Sequence, residues 1–329
     1  MIDLHCHLDG AITKDIAKKL ASMQDIDVSN YTDEEFDNLI SLDGDCSDLN
    51  EFLRCFEFPL SLLQTKESIS AAVKLVQEHM KKQGILYLEL RFAPQLHCQK
   101  GLSQEDVVLA ALDGLEKDDL HTNLILCLMR GERTKAQISR NMETIELAEK
   151  YLVADEGIVA VDLAGDEFPY PTEMFAEEMK KIRGFNIPMT VHAGEAGSAE
   201  NVRFAVENGI KRIGHGVRIA DYPSIVDLVV KNGVTLEVCP TSNRQTRAVK
   251  NMDEYPIKKF LEAGVKVTLN TDDPAICRTD LQNELKYVKE KFGINEDDEK
   301  RMLLNSVDAA FTTAEFKAEL REKIKILRG

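Results

Sequence analysis

The sequence has 329 residues with 57 acidic and 41 basic side chains, which gives a formal net charge of −16 at pH 7. Hydrophobic residues make up 43% of it, a share that predicts a globular protein with a sizeable core and excludes a largely disordered chain. It contains no apolar run of membrane-spanning length, and its acidic balance is unfavourable for contacts with nucleic-acid phosphates. We therefore expect no membrane partner and no nucleic-acid partner.

Short apolar runs alternate with longer amphipathic stretches from one end of the chain to the other. The runs predicted to be strands are residues 2–5, 85–92, 123–129, 158–163, 188–192, 212–214, 235–238 and 266–270. Several are almost continuously apolar, as expected for strands that a parallel sheet buries on both faces. The alternation predicts an α/β fold, a (β/α)8 TIM barrel, with an open doubly wound sheet as the competing arrangement.

Helical patterns fill the intervals between these strands. The predicted helices are residues 66–83, 103–118, 134–151, 171–183, 199–208, 223–232 and 253–263. About residues 13–63, between the first two strands, are too long for an ordinary connection and have helical patterns, so we predict an inserted helical cap. Residues 295–305 and 313–327 are predicted to form two closing helices. No linker divides the chain, so residues 1–329 are predicted to form one barrel domain.

Seven cysteines are spread over the chain, an odd number in which no two form a C-x-x-C pair. This pattern fits neither a set of disulfides nor a cysteine-based zinc site, and it indicates free thiols in a reducing compartment. The first residues, MIDLHCHLDG, also lack the basic and apolar segments of a secretory signal. The predicted location is the cytoplasm, and the oligomeric state stays open.

The pair His5 and His7 places two imidazoles on one face of the first strand, because alternate side chains of a strand point the same way. Two imidazoles on one wall make half of a metal site. Other polar groups also fall at the carboxyl ends of predicted strands, where barrel enzymes assemble their active sites. These groups are Arg91, Asp162, Gly165, Asp166, Glu167, His192, Glu195, His215, Asn243, Asn270, Asp272 and Asp273.

Among them, His5, His7, His192 and one aspartate of the pair Asp272-Asp273 are predicted to hold one metal ion. Three nitrogen ligands and one oxygen, with space left for water, are typical of a catalytic metal site.

Three neighbours complete the predicted chemistry. Glu195, at the rim and partly removed from water, is predicted to have a raised pKa suited to donating a proton. His215 is predicted to take or hold a proton on the activated water, and Gly165 to expose backbone N–H groups to a flat ligand.

Motifs for other chemistries are missing from the sequence. It has no G-x-G-x-x-G, no P-loop, no G-x-S-x-G and no H-x-E with P-C-x-x-C, so a dinucleotide cofactor, a serine nucleophile and a cytidine-deaminase type of zinc site are not indicated. The remaining histidines, His79, His97 and His121, are predicted to lie on the surface.

Seven motifs occur in one order: HCHLDGAI, YLELRFAP, VDLAGDE, VHAGE, RIGHG, CPTSN and LNTDDP. From Ile2 to about Leu285, the sequence with these motifs resembles the adenosine deaminases of the metal-dependent amidohydrolase superfamily. The resemblance implies a (β/α)8 barrel, one zinc ion, and the hydrolysis of adenosine and 2′-deoxyadenosine to the inosine product and ammonia in purine salvage. The implied partner is a small purine nucleoside.

The resemblance also implies a role for each site residue. The implied metal ligands are His5, His7, His192 and Asp272, the catalytic residues are Glu195, His215 and Asp272, and the substrate-binding residues are His7, Asp9, Gly165 and Asp273. In the family's reaction, water activated by zinc attacks C6 of the purine. Glu195 would protonate N1, and His215 would orient the water and stabilise the oxyanion. Asp273 would meet N7, and Gly165 would donate its N–H to N3.

Asp9 of the HLDG motif is the position most informative about substrate. It resembles the aspartate that accepts a hydrogen bond from the ribose 5′-hydroxyl, whereas adenine deaminases typically have HLEG and the N6-methyl-AMP branch tends to have HLNG. A carboxylate here would repel a 5′-phosphate, which favours a nucleoside. The alternatives are a deaminase of adenine or of a 5′-modified adenosine such as methylthioadenosine, and a catalytically silent binding protein on a barrel scaffold.

Within the predicted cap, four apolar residues at helical spacing form a stripe: Leu49, Phe52, Leu53 and Phe56. Such a stripe is typical of ordinary packing against a barrel, and the resemblance implies that it also forms a gate over the pocket.

Overall fold

Strands and helices alternate along this computed structural model, which describes residues 1–42, 44–46, 49–117 and 119–328. Within them the strands are β1 Ile2–His7, β2 Tyr87–Phe92, β3 His121–Met129, β4 Ile158–Ala164, β5 Thr190–Ala193, β6 Arg212–His215, β7 Thr235–Val238 and β8 Lys266–Leu269. Each overlaps a predicted strand. All seven residues of β4 are buried, as a strand covered on both faces requires.

Two four-stranded parallel sheets, β1-β2-β3-β4 and β5-β6-β7-β8, join into a barrel. A bridge between Val161 and Met189 connects β4 with the segment that leads into β5. At the other seam, Asp272 N donates to His5 O over 2.7 Å and His7 N donates to Asp272 O over 2.8 Å. The predicted barrel is therefore confirmed, and the open doubly wound sheet is wrong.

The helices pack around this barrel and over its two ends. They are α1 Lys14–Met23, α2 Asp33–Ile40, α3 Leu49–Arg54, α4 Glu57–Leu62, α5 Lys66–Lys82, α6 Gln104–Asp113, α7 Lys135–Tyr151, α8 Ala176–Gly184, α9 Ala199–Glu207, α10 Pro223–Lys231, α11 Pro240–Gln245, α12 Ile257–Glu262, α13 Leu281–Phe292, α14 Glu296–Ala309 and α15 Ala314–Arg328. None of these helices is both long enough and apolar enough to cross a bilayer.

Helix α6 ends at Asp113, earlier than predicted, and the residue after it, Gly114, lies at a close approach to α5. A Cβ at Gly114 would lie 2.3 Å from Ser70 O on α5, so only glycine fits where the two helices meet. The helix stops there instead of continuing to Asp118, which lies outside the described residues.

Helices α1 to α4 occupy the long segment between β1 and α5, where the sequence predicts a helical cap. Leu20 of α1 and Phe36 of α2 are buried in the main core. In the predicted apolar stripe, Phe52 and Phe56 pack with their ring centroids 5.6 Å apart. The side chain of Leu49 lies outside the described part of the chain.

Three helices follow β8 in the described residues, and the sequence pattern predicts only the last two. The pattern misses α13 because its buried face includes Glu284 between Leu281 and Val288. The carboxylate of Glu284 accepts hydrogen bonds from Thr241 N and Thr279 Oγ1, so the apolar period is broken by a satisfied polar group.

Two histidines predicted to lie on the surface are buried or half-buried against other parts of the chain, so that prediction is wrong for them. His97 is 1% exposed with its Nδ1 3.0 Å from Leu63 O, and burial lowers its pKa to about 4. His121 begins β3, where its Nε2 lies 2.6 Å from Asp155 Oδ1 and its ring stacks on Phe316. Each partner comes from a distant part of the sequence, which local polarity does not reveal.

Leu320→Ala in α15 is expected to lower the free energy of unfolding by about 2–5 kcal/mol, because Leu320 is fully buried against Ile2 and Leu4 at the base of the barrel. Urea denaturation measures the change. Ile326→Ala on the same helix is the control, since Ile326 is 79% exposed and its loss should cost less than about 0.5 kcal/mol. Equal effects of the two substitutions would contradict this packing.

Candidate active site

Four side chains converge at the carboxyl end of the barrel. His5 Nε2 lies 3.0 Å from His192 Nε2 and 3.1 Å from Asp272 Oδ1. His7 Nε2 lies 3.3 Å from His192 Nε2 and 3.4 Å from Asp272 Oδ1. Ligand atoms around one tetrahedral zinc are roughly 3.3 Å apart, because Zn–N bonds are about 2.0–2.1 Å long. The spacing of these four atoms therefore suits one divalent ion, and they belong to the four residues predicted as ligands.

Buried carboxylates lie at the far nitrogens of two of these histidines. His5 Nδ1 is 2.9 Å from Glu237 Oε2, and His192 Nδ1 is 2.9 Å from Asp162 Oδ2. A carboxylate at Nδ1 keeps the proton on that nitrogen and leaves the Nε2 lone pair free to bind a metal. The hydrogen bond between Nδ1 and Glu237 thus orients the imidazole of His5 as a ligand, and Asp162 lies beside Nδ1 of His192 as a charged neighbour.

Arg91 connects the two carboxylates. Its guanidinium donates to Asp162 Oδ2 and Glu237 Oε2, each over 3.0 Å, and the side chain is fully buried. Burial alone would raise the pKa of Glu237, but Arg212 and Arg91 hold it well below its ordinary value. Both carboxylates are therefore anionic partners of the ligand histidines.

Sequence reasoning singled out Arg91 and Asp162 only as strand-end residues, and it missed Glu237. The missed signal is a lone carboxylate in the otherwise apolar strand β7, TLEV, all of which is buried. A charge on a buried strand needs a partner inside the barrel.

His215 and Glu195 flank the predicted metal position. His215 Nε2 lies 3.6 Å from Glu195 Oε2 and 3.9 Å from Asp272 Oδ2. Its Nδ1 lies 3.1 Å from Asn243 Nδ2, and Asn243 Oδ1 accepts a hydrogen bond from the Tyr255 hydroxyl. Because the amide oxygen is engaged by Tyr255, the amide nitrogen donates to Nδ1 and the proton of His215 lies on Nε2, facing the site.

A cavity of about 300 Å³ opens above these groups. Its polar wall includes His7, Gly165, Glu195, His215 and Asp273. Its apolar side is formed by Phe52, Leu53 and Phe56 from the inserted segment. The combination of an apolar wall with a few convergent polar groups is typical of a small-molecule site. Burial raises the pKa of Glu195, as a proton donor requires.

Asp273 offers the cavity an unused oxygen. Its Oδ1 is buried with no hydrogen-bond partner among the described residues. Burial, followed by the charge of Asp272, raises the pKa of Asp273 well above its ordinary value. A Cβ at Gly10 would lie 1.9 Å from Asp273 Oδ1, so the glycine of HLDG leaves the space that this carboxyl occupies.

Gly165 and Asp9 differ in how they relate to the cavity. Gly165 has a φ of 98°, which favours glycine, and lies in the cavity wall, while the contact of its N–H with a ligand stays a prediction. Asp9 is only 8% exposed and accepts a hydrogen bond from Gly10 N over 3.2 Å, and burial raises its pKa to about 6. It is not among the described residues that line the cavity, so its predicted contact with a ribose hydroxyl stays a prediction.

Comparison with known protein families matches residues 1–326 to the family described as adenosine deaminase. An adenosine deaminase of Haemophilus ducreyi is 42% identical over 331 residues, which cover 99% of this chain and 95% of the relative.

Solved structures share the same fold. The adenine deaminase of Arthrobacter aurescens superposes with a TM-score of 0.86 at 23% identity, covering 99% of this chain and 98% of the other. An amidohydrolase of Burkholderia ambifaria with bound Zn gives a TM-score of 0.84 at 21% identity, covering 98% of this chain and 88% of the other.

Glu237→Gln is expected to weaken binding of a divalent metal about 10- to 100-fold, because His5 loses the anion that orients it. Competition with a chelator measures the affinity on folded protein. Glu178→Gln is the matched control, since Glu178 is equally buried but pairs with Arg133 away from the site. Equal metal affinity in the two variants would contradict the orienting role of Glu237.

Proposed function

Since the chain belongs to the adenosine deaminase family of the amidohydrolase superfamily, its reaction is the hydrolytic deamination of adenosine, and we propose how this site performs it. The observation that carries the proposal is the convergence of three imidazole Nε2 atoms and Asp272 Oδ1 beside Glu195 and His215. A catalytically silent barrel is disfavoured, because the chain retains every one of these groups.

We propose zinc as the metal, held by His5, His7, His192 and Asp272. Three nitrogens and one carboxylate oxygen suit zinc, although the same donors also accept cobalt, nickel and iron. Zn bound to the amidohydrolase of similar fold supports this choice. When bound, the metal supplies Lewis acidity that makes water a nucleophile at neutral pH.

Glu195 and His215 are proposed to move and hold the protons of the reaction. Glu195, whose pKa is raised by burial, donates a proton to N1 of the purine, which draws electrons from C6 and prepares it for attack by water. His215 directs its Nε2–H toward the attacking oxygen and stabilises the negative charge that develops there. The attacking water gives up two protons: one goes to the amino group, which leaves C6 as ammonia, and the other restores the proton of Glu195, so that the product is inosine with a proton on N1.

The remaining groups are proposed to hold the nucleoside. Asp273 forms a hydrogen bond with N7 through its free Oδ1, and the Gly165 N–H donates to N3. Phe52, Leu53 and Phe56 cover the purine as a gate. His7 and Asp9 are placed on the ribose side, with Asp9 accepting from the 5′-hydroxyl. None of these contacts uses the 2′-hydroxyl, so 2′-deoxyadenosine is a proposed second substrate, in keeping with a role in purine salvage.

Two further proposals concern the chain as a whole. We propose that residues 1–329 act as one domain, in which the inserted helices serve as the cap of the site. We also propose a cytoplasmic location, which the seven unpaired cysteines support, since thiols persist in a reducing compartment.

Glu195→Gln is expected to keep its metal and lose about 10²- to 10⁴-fold in kcat, because the amide has no acidic proton for N1. The fall in adenosine absorbance as inosine forms measures kcat, and metal analysis of the same sample shows that the ligand set is intact. Turnover near that of the unmodified protein would remove Glu195 from its proposed role.

Among adenosine, adenine, AMP and methylthioadenosine, adenosine is expected to have the highest kcat/KM. The carboxylate of Asp9 on the ribose side disfavours a 5′-phosphate, and adenine lacks the ribose that Asp9 is proposed to hold. Asp9→Asn should then lower kcat/KM for adenosine with little effect on adenine. Preference for adenine or methylthioadenosine would favour the corresponding alternative substrate.

A further inference from the structure

A second carboxylate, Glu167, is bound by the loop that carries Glu195. Its Oε1 accepts hydrogen bonds from Gly194 N over 2.6 Å and from Asn201 Nδ2 over 2.8 Å. Its Oε2 accepts from Glu195 N over 3.0 Å and from Gly197 N over 2.9 Å. The side chain belongs to the loop after β4, is 3% exposed, and so joins two neighbouring loops of the barrel.

This arrangement fixes a backbone more firmly than neutral hydrogen bonds would. Hydrogen bonds to an ionised carboxylate are roughly twice as strong as those between neutral groups, and successive backbone N–H groups form a concave anion site. Asn201 is itself held, because its Oδ1 accepts from Thr172 N over 3.0 Å. The loop turns sharply at Gly194, whose φ is 69°. The carboxylate of Glu167 therefore stabilises this turn by accepting hydrogen bonds from its backbone N–H groups.

The side chain of Glu195, by contrast, has only long contacts in the described residues. Its carboxyl lies 3.5 Å from Thr246 Oγ1 and 3.6 Å from His215 Nε2. Its backbone is held on both sides, since the N–H donates to Glu167 and the carbonyl accepts from Arg218 Nε over 2.9 Å. The place of the Glu195 carboxyl in the cavity thus follows from its backbone more than from its own hydrogen bonds.

We propose that Glu167 is a positioning residue of the reaction, which sets the backbone of Glu195 so that its carboxyl reaches the purine nitrogen at the distance of proton transfer. The inference rests on the proton-donor role proposed for Glu195. Misplacement of a reacting group by about 1 Å can cost about 10²-fold in rate, so a change at Glu167 acts on turnover without touching the substrate.

Gly197 offers a way to disturb Glu167 without removing its charge. A Cβ at Gly197 would lie 2.7 Å from the Cγ and Cδ of Glu167 and 2.7 Å from Asn201 Nδ2. Alanine there would push the carboxyl group of Glu167 away from its donors, while the side chain itself is unchanged.

The experiment measures kcat and KM for adenosine in Glu167→Gln, Gly197→Ala and the control Glu178→Gln, with metal content and the unfolding midpoint of each. In Glu167→Gln an NH2 replaces one carboxylate oxygen, and in place of Oε2 it faces the N–H groups of Glu195 and Gly197, so two hydrogen bonds become repulsive contacts. We expect kcat to fall about 10- to 100-fold with KM within about 3-fold and metal retained. Gly197→Ala should show the same signature, and Glu178→Gln should lose stability without losing kcat.

Combination with Glu195→Gln separates positioning from general damage. If Glu167 acts through Glu195, Glu167→Gln should reduce the residual kcat of the Glu195→Gln protein by less than about 3-fold. An equal loss in both backgrounds, or an unchanged kcat in Glu167→Gln and Gly197→Ala, would overturn the inference. Should Glu167→Gln not fold, Gly197→Ala and its combination decide the question. If Glu195→Gln itself turned over normally, the proposed function of Glu195 would fail instead, whatever the effect at Glu167.

Discussion

The structure depends on bringing three imidazole Nε2 atoms to within 3.0–3.3 Å along a chain of contacts in the buried interior of the barrel. Nitrogens packed this closely suit a cation between them, with anions behind them. Glu237 and Asp162 supply the anions, and Arg91, fully buried, balances both and donates to the backbone at Leu4. Buried charges are stable only when they are paired and hydrogen-bonded. A metal held by the histidines and the charged side chains of Glu237, Asp162 and Arg91 would therefore stabilise each other.

The loops at the carboxyl end of the barrel also restrict where the side chains around the cavity can lie. Gly214 leaves space for His5, since a Cβ there would lie 2.9 Å from His5 Cε1, and Gly10 does the same for Asp273. Glu167 joins the loop after β4 to the loop after β5. The glycines and carboxylates of the motifs thus position the reacting groups, a role that does not depend on contact with the substrate.

Much of this could be predicted from the sequence, because strand periodicity and strand ends are local properties. The eight strands overlap their predicted positions, and His5, His7, His192 and Asp272 come together as predicted. What escaped prediction depends on partners far away in the sequence. The buried face of helix α13 includes Glu284, whose carboxylate has its hydrogen-bond partners there. The buried ring of His97 forms a hydrogen bond with the carbonyl of Leu63 in the inserted segment. Glu237 carries no local sign of the histidine that it orients, which lies 232 residues away.

X-ray absorption spectroscopy on the protein purified with its native metal shows whether the four converging side chains hold an ion. We expect one divalent ion per chain, bound by three imidazole nitrogens and a carboxylate oxygen, and we expect Asp272→Ala to remove the oxygen ligand and the ion with it. An ion with sulfur in its coordination sphere, or full deamination of adenosine by protein freed of metal, would contradict this assignment of the site.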